Sequence, residues 1–280
     1  MLKKIEYTSL SPGKTVLFFG AIHGNETCGP RALNEIIQEI DSGKITIKSG
    51  KIIIVPVCNP LAYEQNKRFI DVNLNRVFKK HTNPILYEEK LANVLCDYVD
   101  KIDVLLDIHS IHSDGKPFIF QDYADKETES FVKHLWITNI LTWWPQMYEQ
   151  TSDSDTTLYN HKKWAIGTVV ECWNHNYINA FAVAKKAIMN TLIYLDIIDG
   201  KLETNIYTET IHALYFMKKN KQWKLSQNWN HLDPVKKWEP IAVYDDGEVL
   251  VATEDGYILL PFAEASIGAE WYYFWKKLTN

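Results

Sequence analysis

Short apolar runs alternate with longer stretches that carry apolar residues at helical spacing, and this rhythm limits the fold more than any other feature of the chain. The runs fall at residues 15–20, 51–57, 103–108, 117–121 and 167–171, and the helical patterns at 26–40, 84–101, 126–139 and 176–198. Strands separated by helices pair within one parallel or mixed sheet, so the expected class is α/β, a mixed sheet flanked by helices. Such sheets bind ligands at the carboxyl ends of their strands. His23, His109 and Glu171 each stand at such an end, so the three are expected to converge.

After "IIDGK" at 197–201 the pattern changes. The stretch "VYDDGEVLVATEDGYILLPF" places two Asp-Gly pairs around an alternating apolar segment, the mark of a short antiparallel meander. The expected organisation is therefore a main unit of residues 1–201 and a smaller β-rich unit of residues 202–280. No repeat or long Gly/Ser linker separates them. Residues 140–165, rich in Trp, Thr, Ser and Asp, fit neither pattern, and a loop of that length in a compact domain often belongs to a site.

Bulk properties exclude several classes. A chain of 280 residues that is 46% hydrophobic can bury a substantial core. Its net charge of −5, with Lys and Arg scattered, argues against a nucleic-acid partner and for a small-molecule one. No apolar run reaches the roughly 20 residues that a spanning helix needs, and the polar start lacks a signal-peptide core, so no membrane is expected and the cytoplasm is the default location. Cys28, Cys58, Cys96 and Cys172 show no C-x-x-C spacing and read as isolated core thiols.

Chemistry concentrates in four stretches. In "FFGAIHGNETCGP" a strand gives way to a helix with His23 and Glu26 three residues apart, able to aim an imidazole and a carboxylate at one point. "LLDIHSIHS" adds His109, with Asp107, Ser110 and His112 near enough to support it. Singly, either His also reads as a hydrogen-bonded residue at a strand end. "NKRFIDVNLNRVF" packs Arg68, Asp71, Asn73, Asn75 and Arg76 between apolar residues; arginine suits carboxylates and oxyanions, while a solvated loop with Asp71 pairing an arginine is the plainer alternative. In "IGTVVECWNH" Glu171 is either a surface terminus or a carboxylate aimed into the site. His81, His134, His175, His212 and His231 carry no ligand spacing, and "KKNKQWK" at 218–224 reads as a solvated turn.

Together "GAIHGNE", "RFIDVNLNRVF", "LLDIHS" and "VVECW" resemble the succinylglutamate desuccinylase/aspartoacylase family, a branch of the zinc-carboxypeptidase superfamily. The likeness covers roughly residues 14–175 by motif and, more loosely, the β-rich end that members of the family carry. It implies a carboxypeptidase-like sheet and one Zn²⁺ held by His23, Glu26 and His109. It further implies Glu171 as the group that activates the zinc-bound water and Arg68 as the polariser of the scissile carbonyl. Asn75 and Arg76 would grip the substrate carboxylate, Asp71 would orient the arginines, and Tyr272 or Tyr273 would reach the pocket, Tyr272 being taken first, with a core aromatic as the plainer reading of either. The implied activity is deacylation of a small N-acyl amino acid. Trimming of a short peptide by a metallocarboxypeptidase and a non-catalytic zinc-binding role stay open as alternatives. Association between copies is common in the family, but no feature here marks an interface. One departure stands out: aspartoacylases carry a further arginine shortly before the glutamate, whereas here that stretch offers His161, Lys162 and Lys163, and the chain has only Arg31, Arg68 and Arg76. A lysine could supply the charge. Alternatively, Trp143, Trp144, Tyr148, Tyr159, Trp164 and Trp173 would suit a less charged substrate.

Overall fold

The computed structural model describes residues 2–121, 125–142, 154–203 and 209–277. Fourteen strands and six helices follow in the order β1 (Ile5–Thr8), β2 (Thr15–Gly20), α1 (Cys28–Asp41), β3 (Lys51–Val55), α2 (Pro60–Glu64), α3 (Tyr87–Val99), β4 (Val104–Ile111), β5 (Phe118–Phe120), α4 (Lys126–Lys133), β6 (Asn139–Thr142), α5 (Thr156–His161), β7 (Ile166–Asn174) and α6 (Ala180–Tyr194). Strands alone then follow: β8 (Glu209–Lys218), β9 (Trp223–Leu225), β10 (Asp233–Val235), β11 (Pro240–Tyr244), β12 (Val249–Val251), β13 (Gly256–Leu259) and β14 (Glu270–Lys277).

Eleven strands form one mixed sheet in the order β1-β3-β2-β4-β7-β5-β6-β8-β14-β13-β10. Its centre is parallel, β3, β2, β4 and β7, and β5 enters antiparallel to β7. The period-two alternation of a strand explains why both faces are covered. On β2, Val16 and Phe18 pack under α1 and α6, while Leu17 and Phe19 pack under α3 and Tyr159 of α5. β4 is buried at all eight positions, which its apolar run requires.

The short helices start where side chains supply the missing acceptors. Asn59 caps α2 through Ala62 N–H, with Pro60 opening the helix; Asp125 caps α4 and Asp155 caps α5. All four cysteines are buried and none is in a disulfide. Among the described residues no helix is long and apolar enough to cross a membrane.

The C-terminal strands continue the same sheet, because β8 pairs parallel with β6 and antiparallel with β14. A second sheet, β12-β11-β9, packs on it through Trp223, Tyr244 and Trp271. The first Asp-Gly pair makes the expected hairpin between β11 and β12. The second does not extend it into a meander. At Gly256 the chain leaves the small sheet for the large one, where β13 pairs with β14 and β10. A Cβ at Gly256 would lie 2.6 Å from the Phe274 ring, so the crossing tolerates no side chain.

Other differences are local. β6 begins where the helical pattern 126–139 was expected to end, and the helix itself stops at Lys133. Four residues between two parallel neighbours carry too short a pattern to separate from a helix end. β4 and β7 run past His109 and Glu171 to Ile111 and Asn174, because the two strands keep pairing through an irregularity after His109.

Candidate active site

The turn after β2 builds the first half of the site. Ala21 adopts φ +46°, a left-handed conformation costly for a residue with a side chain, and it swings the chain away from the strand so that His23 and Glu26 face each other. Gly24 is fixed by contact: a Cβ there would sit 2.1–2.5 Å from the backbone of Ala62 and Tyr63 in α2. The Gly24 N–H donates to the Arg68 carbonyl at 3.2 Å, tying this turn to the loop that carries the arginines.

Glu26, 1% exposed, is the hub. Its Oε1 lies 2.7 Å from His23 Nδ1 and accepts from Arg68 Nη1 at 3.1 Å. Its Oε2 accepts the Ser110 N–H at 3.1 Å and lies 2.9 Å from His109 Nδ1. Burial would raise the Glu26 carboxyl, but His23 and His109 hold it well below its ordinary range. Burial, then the Arg68 charge, pushes His23 down to about 4. His109 goes the other way: against its burial, Asp107 on one ring nitrogen and Glu26 on the other hold it well above the usual range. The pocket therefore favours a positive charge between these carboxylates.

One donor atom each from His23, Glu26 and His109 lie within 4.8 Å of one another. Two imidazoles and a carboxylate at that separation, all buried, suit a divalent ion such as zinc. The donor set fits a metal.

Glu171 completes the arrangement through sheet register. It lies directly across from His109 on the neighbouring strand. Its Oε2 is buried without a hydrogen-bond partner among the described residues. Burial raises this carboxyl to about 8; His109 and Arg68 oppose the rise, and Glu26 adds to it. A buried, unpartnered carboxyl of raised pKa is a candidate proton carrier.

The family model for the succinylglutamate desuccinylase/aspartoacylase catalytic domain matches residues 12–172, a stretch that holds His23, Glu26, Arg68, His109 and Glu171. The chain belongs to this family. A succinylglutamate desuccinylase of Shewanella sp. (strain W3-18-1) is 28% identical over 159 residues, covering 54% of this chain and 44% of that protein. An aspartoacylase of Xenopus tropicalis is 30% identical over 139 residues, 45% of this chain and 44% of that protein. The matched stretch thus spans less than half the length of these curated relatives. The crystal structure of a succinylglutamate desuccinylase/aspartoacylase from Rhodobacter sphaeroides superposes with a TM-score of 0.80 at 17% identity, covering 99% of this chain and 90% of that one. At such identity the likeness is one of fold.

Around this family core the remaining expected residues take varied positions. Arg76 has its Nη2 3.4–3.5 Å from the Glu270 carboxylate of β14, and Tyr273 donates its hydroxyl to the same carboxylate at 2.6 Å. Asn75 accepts the Thr156 N–H at 3.1 Å, linking the arginine loop to the start of α5. Asp71 accepts the Tyr87 N–H at 2.8 Å, so its carboxylate caps α3 rather than an arginine. Tyr272 is 1% exposed in the C-terminal core beside Trp271 and Phe274, while Tyr273 points to the opposite face and joins Glu270 and Arg76. The two neighbours differ by strand alternation, and Tyr273, 4% exposed, packs in a separate core cluster with Phe118 and Trp275.

In the stretch 161–163, Lys163 pairs with Asp100 at 2.9 Å, near the amino end of β7. Of the aromatics considered, Trp143, Trp144 and Tyr148 lie outside the described residues. Tyr159 is in the core, Trp164 is fully exposed, and Trp173 stacks on Tyr177 at 4.6 Å.

Several contributing residues went unassigned in sequence. Asn73 Oδ1 lies 3.0 Å from His23 Nε2, Thr156 donates to Asp107 at 2.7 Å, and His175 hydrogen-bonds Ser110 through Nδ1 at 2.8 Å. Asn73 had a signal, as an uncharged polar residue inside "DVNLNR". His175 and Thr156 had none, since each reaches the site only through tertiary contacts. His112 turns away from Glu26, donating from Nε2 to the Pro261 carbonyl at 2.9 Å and packing on Phe262.

Proposed function

We propose that this protein is a zinc-dependent deacylase that hydrolyses the amide bond of a small N-acyl amino acid. The observation that carries the reading is Glu171: a buried carboxyl facing His109 across the sheet, its Oε2 without a hydrogen-bond partner among the described residues, beside the His23–Glu26–His109 donor set. When bound, zinc would act as a Lewis acid that makes hydroxide available near neutral pH.

The chain's own residues account for the rest. Glu171 takes a proton from the attacking water as the water oxygen bonds to the carbonyl carbon. It returns that proton to the departing nitrogen as the C–N bond breaks, leaving a carboxylic acid and an amine, and the acid's proton then passes to the amine to give carboxylate and ammonium. Arg68, whose guanidinium reaches Glu26 Oε1 from a half-exposed position, is placed in this reading to stabilise negative charge on the former carbonyl oxygen. Arg76, steadied by Glu270 and Tyr273, takes the free carboxylate of the amino-acid part, with Asn75 beside it. Asp71 acts indirectly, by holding the loop to α3.

Residues 202–280 act in this reading as a cap on the catalytic unit 1–201. The seating of Pro261 and Phe262 against His112, and of Glu270 against Arg76, supports a mouth that favours small substrates over long peptides. The test is amine release from a panel of N-acyl amino acids and short peptides by zinc-loaded protein, with Glu171→Gln as control. Turnover of the N-acyl amino acids by wild type alone is expected. Preferential release of a C-terminal residue from peptides would replace this reading with a carboxypeptidase, and equal activity of Glu171→Gln would remove Glu171 from the chemistry.

A further inference from the structure

Glu88 is wholly buried, stands at the second position of α3, and takes no part in the chemistry above. Its two oxygens meet four donors. Oε1 accepts the Ile70 N–H at 2.7 Å and Asn59 Nδ2 at 3.1 Å. Oε2 accepts the N–H groups of Asp71 at 3.0 Å and Val72 at 3.2 Å. Three consecutive backbone amides turned onto one carboxylate make a nest, a concavity suited to an anion. The loop answers in kind, since Asp71 accepts the Tyr87 N–H at the first position of the same helix.

The loop so held carries much of the site. Residues 66–76 contain no strand, and the one helical piece is the three-residue 3-10 turn Leu74–Arg76, so these hydrogen bonds define the backbone course. From it Arg68 reaches Glu26, Asn73 reaches His23, and Arg76 reaches Glu270. The fourth donor, Asn59, sends its own N–H to the Ala21 carbonyl at 3.0 Å, just after β2. Glu88 is thus bonded directly to the loop that carries Arg68, Asn73 and Arg76 and is linked through Asn59 to the segment that leads to His23 and Glu26.

We propose that Glu88 is a positioning residue, a buried carboxylate that clamps residues 70–72 so that Arg68 and Asn73 face the His23–Glu26 turn and Arg76 faces Glu270. It acts through those side chains and touches no substrate. The kinetic part of its test rests on the deacylase reading, whereas the exchange part does not.

Alanine would leave four donors around a void, so the informative variant is Glu88→Gln, which keeps the volume and replaces one oxygen by an NH₂ that faces donors. Whichever way the amide turns, at least one backbone N–H of the loop loses its acceptor. Full-length, zinc-loaded protein is compared by hydrogen exchange and kinetics. Peptides covering 66–76 are expected to exchange at least tenfold faster in Glu88→Gln, with the end of α3, β4 and one zinc per chain unchanged. On the best substrate kcat/KM is expected to fall at least tenfold. Arg68→Ala should then cost at least fivefold less in the Glu88→Gln background than in wild type, because the clamp's loss has already displaced Arg68.

Glu88→Asp, which retracts the carboxylate by one methylene, should give the same pattern more weakly and serves if the glutamine variant does not fold. Unchanged exchange over 66–76 overturns the clamp whatever the activity. Simple multiplication of the two kinetic losses overturns its action through Arg68. If wild type turns over nothing, the deacylase reading falls and the exchange result alone decides the clamp.

Discussion

His231 is the residue whose pH response the fold most clearly dictates. It is 2% exposed and stacks on Phe118 with ring centroids 4.3 Å apart. Its Nδ1 accepts the Leu260 N–H at 3.3 Å, and its Nε2 is buried without a partner among the described residues. Protonating this ring would cost the accepted hydrogen bond and place a charge among aromatic groups. Burial, with a smaller push from His112, accordingly lowers its pKa to about 3. The sign follows from linkage. A folded pKa below the unfolded one means that the unfolded chain binds the proton first, so stability present above pH 6.5 is lost as pH falls. Between pH 7.5 and pH 5 this single residue should remove about 2 kcal/mol, which for a chain of this size is roughly 3–4 °C in Tm. His231→Asn keeps an acceptor near the Nδ1 position and cannot titrate in this range. Urea melts of chelated wild type and variant from pH 7.5 to 5 should show the variant less stable at pH 7.5, where it has lost packing, and the gap closing by about 2 kcal/mol at pH 5. Parallel stability curves would refute the reasoning, because they would mean that His231 takes up its proton equally in both states.

Three further outcomes are expected from the site. Removing metal with a chelator should abolish amide hydrolysis and zinc should restore it; full activity in metal-free protein, verified by elemental analysis, would rule out the metal's role. Arg68→Ala should lower kcat by about 10²–10³ while zinc stoichiometry stays at one per chain, as loss of an oxyanion donor does; a change confined to KM would assign Arg68 to binding alone. Tyr273→Phe and Glu270→Gln should each raise KM by about tenfold, the cost of roughly one charge-assisted hydrogen bond, whereas Tyr272→Phe should leave KM unchanged. A KM effect at Tyr272 in place of Tyr273 would contradict the face assignment on β14.

What the sequence by itself determined is what short-range pattern can encode. The short continuous apolar runs of β2, β3, β4 and β7 and the helical spacing of α1, α3 and α6 already specify a sheet covered on both faces. His23 and Glu26 meet because three residues of a strand-to-helix turn separate them. Only the tertiary structure decided the rest. His109 and Glu171 are 62 positions apart and become neighbours through the β4–β7 register. A one-residue difference in strand position sends Tyr272 to the core beneath the small sheet and Tyr273 to a second core cluster, where its hydroxyl reaches Glu270. Glu88 looks in sequence like any acid in a helix's first turn, and it becomes a buried anchor because the amides of a distant loop point at it. Residue type and spacing fix which groups are available and which face of their own element they occupy. Whether a carboxylate ends buried, paired or exposed depends on what other elements bring to it, and that is a property of packing across the whole chain.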